Sequence, residues 1–277
     1  MSEATRRDPF GSAVPLRDRY IELVKRAVTH LLYRPIDVWA DENAYGDSEE
    51  LREAVLREWA DPDFDPANVR IEGRDYPLFG QTMVGLQRVE NVQFCVESVL
   101  AEGVPGDLIE TGVWRGGVTI LMRAILEAWD DRSRSVWVAD SFAGLPAPDA
   151  AFPADSGSLF YTLDSLAISR EEVARNFDLY GLLDDQVVFV EGWFKDTLPS
   201  LRDRTWSVLR LDGDMYESTY EVLENLYPGL SPGGYCIVDD YKFEPCRQAV
   251  NDYREAHGIA EPIEMIDWLG AFWRRAQ

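Results

Sequence analysis

Short apolar runs alternate with helical patterns over most of the chain after residue 105. Each run is bounded by turn residues, and the stretch that follows it places apolar side chains at helical spacing. Strands that alternate with helices predict a parallel sheet covered by helices on both faces. The five predicted strands span residues 107–112, 135–141, 186–192, 206–214 and 235–241.

The two ends of the chain carry different patterns. Apolar positions predict helices over 16–33, 48–60 and 82–103, and the last two runs, at 262–267 and 271–276, predict a hairpin at one end of the sheet. Residues 1–15 are polar and broken by proline and glycine, which indicates a disordered leader. We therefore expect a leader over 1–15, a helical extension or lid over 16–81 and one main domain over 82–277.

The chain is strongly acidic, with 50 Asp and Glu against 27 Lys and Arg among 277 residues and a formal net charge of −23. Phosphate backbones and anionic membrane surfaces are poor electrostatic partners for such a protein. The sequence has no window of about 18 uncharged apolar residues, and its N-terminus lacks the apolar segment of a signal peptide. We expect a cytoplasmic protein that binds neither nucleic acid nor membranes.

Cysteine and histidine are too few and too scattered for a zinc site or a histidine-based triad. Cys95, Cys236 and Cys246 show no paired spacing, so reduced thiols are expected. The two histidines, His30 and His257, lie in predicted helices with no partner at metal-ligand spacing and no neighbouring nucleophile elbow. Carboxylates must therefore carry any chemistry.

A glycine turn follows the first predicted strand. Gly112, Gly116 and Gly117 could let backbone N–H groups approach a ligand, or they could merely ease the packing of strand against helix. Their spacing matches neither the dinucleotide fingerprint nor a Walker loop. The next strand ends at Asp140, where doubly wound sheets place an acid against the ribose of a nucleoside. Together the two features favour a nucleoside-containing ligand.

Acidic residues recur where the predicted strands end. Because ligands of parallel sheets bind at the carboxyl ends of the strands, these acids are expected to converge on one rim, where something positive must hold them ionised. Three or four carboxylates without His or Cys favour Mg²⁺ or Mn²⁺ over zinc, although such acids are also common turn residues. The acids are Glu110, Asp140, Glu191, Asp212, Asp214, Asp239 and Asp240.

Several long motifs resemble those of the macrocin O-methyltransferase (TylF-like) family, which methylates sugar hydroxyls of antibiotics. They are "GVPGDLIETGVWRGG", "VWVADSFAGLP", "VEGWFKDTLP", "LRLDGDMYEST" and "SPGGYCIVDDY". The resemblance runs from about residue 82 to the C-terminus. It implies a Rossmann-like class I methyltransferase fold with a mostly parallel seven-stranded sheet, a C-terminal antiparallel hairpin and an N-terminal helical cap.

The resemblance also implies roles for individual residues. Asp140 would bind the ribose of S-adenosylmethionine with Ser141 beside it, the Mg²⁺ ligands would be Asp212, Asp239 and Asp240, and the general base would be Asp214, although Asp212 and Asp214 could exchange duties. The residues around the methionine part would be Glu110, Thr111, Gly112, Arg115, Gly116 and Gly117. Those around the adenine would be Ser165, Glu191, Gly192 and Trp193, with Thr82 and Met83 closing over the cofactor.

This division of roles agrees with elementary chemistry. A sugar hydroxyl has a pKa far above neutrality, and coordination to Mg²⁺ lowers it. A neighbouring carboxylate then takes the proton while the oxygen attacks the sulfonium methyl. Chelation of two vicinal hydroxyls would also fix which oxygen faces that methyl. The expected enzyme is a Mg²⁺-dependent O-methyltransferase, with Mn²⁺ as a possible substitute.

Three alternatives stay open from the sequence. The acceptor could be a catechol or another small vicinal diol, because the metal site suits both. A metal-dependent glycosyltransferase would use "DGD" as its metal motif but leaves the glycine turn and Asp140 unexplained. A non-catalytic binding module would use the acidic rim for a partner.

The N-terminal extension matches the family only loosely, so the acceptor is not fixed by the resemblance. Its aromatic residues could stack on an aglycone or simply pack the cap onto the domain. The resemblance further suggests a homodimer formed through the N-terminal helices. The aromatic residues of the extension are Trp39, Tyr45, Trp59, Phe64 and Tyr76.

Overall fold

The computed structural model describes residues 14–32, 38–39 and 66–276 of the chain. The predicted leader, apart from residues 14–15, lies outside the described residues, and so do the predicted helix at 48–60 and the aromatic residues Tyr45, Trp59 and Phe64. The described part of the N-terminal extension holds α1 (Leu16–Val28), β1 (Val38–Trp39), α2 (Pro66–Glu72) and β2 (Tyr76–Pro77), in which β1 and β2 pair antiparallel.

The main domain alternates strands and helices as the apolar pattern predicted. In chain order its elements are α3 (Leu86–Glu102), β3 (Asp107–Thr111), α4 (Gly117–Ala128), β4 (Val136–Asp140), α5 (Arg170–Leu179), β5 (Val187–Glu191), α6 (Phe194–Thr197), β6 (Trp206–Leu211), α7 (Tyr216–Leu226), β7 (Leu230–Val238), α8 (Glu244–His257), β8 (Glu264–Met265) and β9 (Ala271–Arg274). Short 3₁₀ turns at Pro153–Asp155, Phe160–Thr162 and Asp164–Leu166 lie between β4 and α5.

The seven-stranded sheet has the order β5-β4-β3-β6-β7-β9-β8. Strands β3 to β7 are parallel, and β9 pairs antiparallel with both β7 and β8. The mostly parallel seven-stranded sheet and its C-terminal antiparallel hairpin are therefore confirmed.

Alternation along each strand divides the core into two layers. On β3, Leu108 faces a layer that contains residues of α1, α3, α4 and α5, whereas its neighbour Ile109 faces a layer that contains residues of α7 and α8. Both side chains are almost fully buried. Burial on both faces explains why the strands read as continuous apolar runs.

Helix α1 packs into the same core as the main domain. Its buried residues Ile21, Val24 and Val28 join the layer formed by α3 and α4. The helix ends at Val28, earlier than the predicted residue 33, because His30 adopts a left-handed backbone with φ of 58° and the N–H of Leu31 bonds back to the carbonyl of Arg26. This hydrogen bond closes the helix end.

Two other boundaries differ from the predictions. Helix α3 begins at Leu86 and not at residue 82, because Gly85 before it is extended. Strand β7 begins at Leu230, five residues before the predicted start, since its pairing with β6 resumes across an irregularity between Trp206 and Val208. No helix among the described residues is long and apolar enough to cross a bilayer, and the three cysteines are free and buried.

Gly112, directly after β3, lies against the backbone of Asp212, directly after β6. Its φ is 87°, and a Cβ atom there would lie 1.7 Å from the carbonyl oxygen of Asp212. The N–H of Asp212 also donates to the carbonyl of Thr111 at 2.9 Å. Only glycine lets the ends of these two strands meet at this distance.

The substitution Gly112→Ala is therefore expected to lower the free energy of unfolding by about 3 kcal/mol or more, because backbone strain and an unavoidable contact add. Urea unfolding followed by circular dichroism measures the change. Gly103→Ala is the matched control, since Gly103 has φ of 66° but nothing within 4 Å of the added Cβ. It should cost only about 1–2 kcal/mol. Equal losses for the two variants would contradict the close approach.

Candidate active site

The carboxyl ends of the parallel strands bring the predicted acids to one rim. Strand β4 ends at Asp140 and pairs there with Glu191, the last residue of β5. Strands β6 and β7 end in register at Leu211 and Val238, so Asp212 and Asp239 follow side by side. The convergence expected from the sequence is present.

The predicted metal ligands Asp212, Asp239 and Asp240 form a compact cluster. One carboxylate oxygen from each lies within 4.8 Å of the others, and Asp239 and Asp240 are only 4% exposed. Three hard oxygen donors at this separation are the donor set that Mg²⁺ or Mn²⁺ prefers. The residues present therefore fit a divalent cation.

A buried arginine, Arg210 on β6, compensates the charge of these acids. Its guanidinium forms ion pairs with Glu110, with Asp212 at 2.7 Å and with Asp239. Glu110 and Arg210 are direct neighbours in the register of β3 and β6, so their side chains lie on the same face of the sheet. The positive group that the acid cluster requires is thus supplied from within the sheet.

A second arginine reaches the cluster from α3. Arg88 contacts Asp239 and also pairs with Asp267, at 2.9 Å, in the turn of the C-terminal hairpin. Its exposure is 3%. Sequence reasoning missed both Arg88 and Arg210, because an arginine inside an apolar strand or helix carries no motif. The one signal in the sequence was a charged residue, Arg210, inside the apolar run "VLRLD".

Burial shifts the protonation of the acids. Desolvation is the main cause that raises the pKa of Asp214 to about 8, and the charges of Asp212 and Asp239 add to it. Burial, followed by the charges of Asp214 and Asp212, raises the pKa of Asp240 well above its usual range. Burial likewise raises the pKa of Glu110 to about 8, although Arg210 acts in the opposite direction. Without a bound cation, these carboxyls therefore keep their protons to a higher pH than ordinary carboxyls do.

Asp214 is held in a special backbone conformation at the cluster. Its φ is 57°, and its N–H donates to Oδ2 of Asp240 at 3.2 Å. Gly213 makes this sharp turn possible, since a Cβ there would lie 3.0 Å from Cβ of Ser218. The turn separates Asp214 from Asp212, which lies beside Arg210.

A cleft opens next to the cluster. Its walls come from the turns after β3, β4, β5 and β6 and from the first turns of α6 and α7. Predicted site residues that line it are Met83, Gly112, Asp140, Ser141, Gly192, Trp193, Asp212 and Asp214. Lining residues that the sequence did not single out are Trp114, Gly144, Leu145, Pro146, Leu166, Phe194, Lys195, Gly213, Glu217, Ser218 and Glu221.

Asp140 is fixed at the middle of this cleft. Its two carboxylate oxygens accept hydrogen bonds from the N–H groups of Val113 and Phe142, both at 2.7 Å. Burial raises the pKa of Asp140, and these hydrogen bonds oppose that rise. The carboxylate is therefore oriented by the glycine turn itself, which links the two features that favoured a nucleoside ligand.

The glycines of this turn serve close packing of the chain. A Cβ on Gly117 would lie 2.6 Å from the carbonyl oxygen of Gln81, which accepts the N–H of Gly117 at 2.9 Å. A Cβ on Gly116 would lie 2.8 Å from Val173. These contacts show that Gly116 and Gly117 allow close packing, and their predicted place beside the cofactor stays a prediction.

Other predicted cofactor residues contact protein groups. One nitrogen of Arg115, Nη1, donates to the carbonyls of Pro77, Leu78 and Gly80, each at 3.0 Å. Arg115 therefore fastens the segment that leads to Met83 onto the glycine turn. The hydroxyl of Thr82 accepts the N–H of Val84 at 3.0 Å.

Three further residues lie at the margin of the cleft or beneath it. Thr111 is buried, with its hydroxyl donating to the carbonyl of Arg210 at 3.2 Å. The carbonyl of Ser165 accepts from the indole N–H of Trp114 at 2.9 Å. Glu191 is exposed and lies 3.8 Å from Arg170. Of the four predicted adenine contacts, Gly192 and Trp193 line the cleft.

This geometry agrees with a specific family. A sequence profile described as Macrocin-O-methyltransferase (TylF) matches residues 17–275. The chain belongs to the macrocin O-methyltransferase family.

Individual relatives support the assignment over nearly the whole chain. The chain is 50% identical, over 93% of both proteins, to 8-demethyl-8-(2,3-dimethoxy-alpha-L-rhamnosyl)-tetracenomycin-C 4'-O-methyltransferase of Streptomyces olivaceus. It is 46% identical to Mycinamicin III 3''-O-methyltransferase of Micromonospora griseorubida, over 93% of this chain and 96% of that protein. Among solved structures, the O-methyltransferase NovP has a TM-score of 0.80 at 44% identity and covers 94% of this chain and 100% of its own.

Membership of the macrocin O-methyltransferase family establishes the class of enzyme. The protein is an S-adenosylmethionine-dependent O-methyltransferase with the Rossmann-like class I fold. The "DGD" motif therefore belongs to a methyltransferase, and neither the glycosyltransferase nor the non-catalytic reading is retained.

We expect Arg210→Gln to destabilise the protein by about 3–5 kcal/mol at pH 8, because it leaves three carboxylates without their buried partner. Without the arginine, the folded-state pKa values of Glu110 and Asp212, already raised by burial, rise further above the unfolded values, so the penalty is present at high pH and falls as these groups take up protons. The loss should thus be smaller at pH 5.5. Chemical denaturation at both pH values measures it.

Arg123→Gln is the matched control for this substitution. Arg123 is as buried as Arg210, but its partners Asp184 and Glu127 are 41% and 39% exposed and can be hydrated when it is lost. The stability lost in Arg123→Gln should be smaller than that lost in Arg210→Gln and nearly the same at pH 5.5 and pH 8. If the stability lost in Arg210→Gln does not change with pH, Arg210 does not stabilise the ionised form of the three acids.

Proposed function

We propose that the enzyme transfers the methyl group of S-adenosylmethionine to a sugar hydroxyl of a glycosylated natural product, with Mg²⁺ held by Asp212, Asp239 and Asp240. The observation that carries the proposal is the three-carboxylate cluster with Asp214 next to it, at the edge of the cleft that Asp140 also lines. The names of the relatives support the class of acceptor, since one of them gives a rhamnosyl tetracenomycin as its substrate.

The chain's own residues divide the work. Asp140 lies in the cleft with a carboxylate fixed by two backbone N–H groups, in the place where such folds bind a ribose. Asp212, Asp239 and Asp240 would hold the cation. A bound divalent cation lowers the pKa of a hydroxyl that coordinates to it and offsets the charge of the acids around it.

Asp214 is the general base in this proposal. Both Asp212 and Asp214 line the cleft, but the carboxylate of Asp212 is also paired with Arg210. Burial, followed by the charges of Asp212 and Asp239, raises the pKa of Asp214, so its carboxylate accepts a proton more readily than an ordinary aspartate. Of the two acids of "DGD", Asp214 is the one with no arginine partner among the described residues, and for that reason we assign it the role of base.

No covalent nucleophile is needed for this reaction. The sulfonium of the donor is already activated, and neither histidine lies among the residues that line the described cleft. His257 Nδ1 lies 2.8 Å from the backbone carbonyl of Tyr253 on α8. The chemistry therefore depends on orientation and proton transfer.

Asp214→Asn should fold and bind S-adenosylhomocysteine as the wild type does, but turnover should fall by about 10²–10⁴-fold, the usual contribution of a general base. Asparagine tolerates the left-handed backbone at this position, so the change removes the charge with little strain. Steady-state methyl transfer and calorimetry with S-adenosylhomocysteine measure the two effects.

The matched control for the base is Asp178→Asn, which removes an exposed carboxylate on α5. It should leave turnover unchanged. If Asp214→Asn turns over at the wild-type rate, the base assignment is wrong, while the cation site and the acceptor class remain to be judged by their own experiments.

The acceptor class is tested by methyl transfer to a panel of rhamnosyl and other deoxysugar glycosides and to simple catechols. We expect turnover of at least one glycoside, at a higher kcat/KM than any catechol, because the acceptor is proposed to be a sugar diol. EDTA should abolish the reaction and added Mg²⁺ should restore it. Faster methylation of catechols would favour the small-diol alternative, and full activity in EDTA would remove the cation from the proposal.

A further inference from the structure

Asp239 differs from the other two proposed ligands in how completely it is held. Its Oδ1 contacts Arg210 and its Oδ2 contacts Arg88, so each oxygen has an arginine partner. Asp212 has an arginine on one oxygen only. The orientation of the Asp239 carboxylate is therefore set by two guanidinium groups that arrive from different elements, β6 and α3.

Arg88 is itself immobilised. Its Nε donates to Oδ2 of Asp267 at 2.9 Å, while Oδ1 of Asp267 accepts the N–H groups of Leu269 and Gly270, both at 2.8 Å. The side chain of Asp267 is 3% exposed. Asp267 thus closes the turn between β8 and β9 with one oxygen and fixes Arg88 with the other.

Two glycines pack against the Arg88 side chain. A Cβ on Gly270 would lie 2.8 Å from Cδ of Arg88, and one on Gly73 would lie 2.9 Å from Nη2. The indole of Trp268 covers the guanidinium with its centroid 5.8 Å away. These contacts restrict the whole Arg88 side chain. Compensating the charge of Asp239 would require only the contact of its guanidinium group.

We propose that Arg88 is a positioning residue that holds Asp239 rigidly enough for the cluster to prefer Mg²⁺ to the larger Ca²⁺, with Asp267 and the C-terminal hairpin turn as its support. The inference rests on the cation site of the proposed function. Mg²⁺ demands near-ideal octahedral ligands at about 2.0–2.1 Å, whereas Ca²⁺ accepts flexible ligands at about 2.3–2.6 Å. A fixed Asp239 therefore favours the smaller ion.

The ratio of the two affinities separates positioning from charge. Loss of Arg88 removes one positive charge near the site, which strengthens the binding of both divalent ions to a similar degree. Loss of the fixed ligand geometry weakens the binding of Mg²⁺ more than the binding of Ca²⁺. The quotient Kd(Ca²⁺)/Kd(Mg²⁺) cancels the first effect and retains the second.

The experiment is calorimetric titration of the full chain with Mg²⁺ and with Ca²⁺, each in the presence of S-adenosylhomocysteine. We expect Arg88→Gln to lower Kd(Ca²⁺)/Kd(Mg²⁺) at least tenfold, and Arg88→Lys to restore part of the wild-type ratio. Arg123→Gln is the matched control: it removes a buried arginine with two carboxylate partners away from the cluster and should leave the ratio unchanged. Asp240→Ala should weaken the binding of both ions.

Asp267→Asn keeps the inference testable if Arg88→Gln does not fold. An asparagine Oδ1 can still accept the two N–H groups of the turn, but the carboxylate that orients Arg88 is gone. The ratio should fall in the same direction, and the loss of stability should be smaller than for Arg88→Gln, because Arg88 keeps its ion pair with Asp239.

The outcomes are distinguishable. If the wild type binds Mg²⁺ and neither Arg88→Gln nor Asp267→Asn changes the ratio, Arg88 does not position Asp239 and the inference is overturned. If the wild type binds neither ion while it still binds S-adenosylhomocysteine, the proposed cation site itself is wrong, and the inference fails with it.

Discussion

Burial of several carboxylates next to one another is the physical constraint on which the site depends. Glu110, Asp212 and Asp239 repel one another in a medium that solvates charge poorly, and Arg210 contacts all three from a position with 1% exposure. A buried arginine keeps its charge under all ordinary conditions, so it can stabilise the ionised acids without a proton. The sheet places this guanidinium among Glu110, Asp212 and Asp239, where it compensates part of their charge together with Arg88.

The contacts of Arg210 also depend on how the strands of the sheet pair. Arg210 meets Glu110 only if β3 and β6 pair in the observed register, and it meets Asp239 only if β7 follows β6 in parallel. A shift of one residue would turn the arginine to the apolar layer on the other face. Gly112 permits the close approach that keeps these strand ends in place. The geometry of the acids is therefore a consequence of strand register.

Arginine side chains also connect the outer elements of the fold to the site. Arg88 brings α3 and the turn of the C-terminal hairpin to Asp239, and Arg115 fastens the segment at residues 77–80 onto the glycine turn. Elements distant in the sequence thus contact the cleft through buried or half-buried guanidinium groups. A strongly acidic chain relies on a few well-placed arginines, each bonded to several acceptors at once.

The sequence by itself determined the order of strands and helices in the main domain and the rim on which the acids meet, while the choice of Asp212, Asp239 and Asp240 among those acids came from the family resemblance. Apolar alternation and the placement of Asp after each strand are local features, and the parallel sheet converts them directly into a shared edge. The end of α1 at Val28 and the start of β7 at Leu230 were not predicted, because a left-handed His30 and an irregular strand pairing leave no apolar signature.

Only the tertiary structure decided which charges balance which acids. Arg88 and Arg210 act on residues up to 179 positions away, and no local pattern records such partners. The structure likewise decided that Asp212 is paired with Arg210, whereas Asp214 has no ion-pair partner among the described residues. The physical reason is the same in both cases: solvation and repulsion of charge depend on distances in space, which chain folding sets and sequence spacing does not.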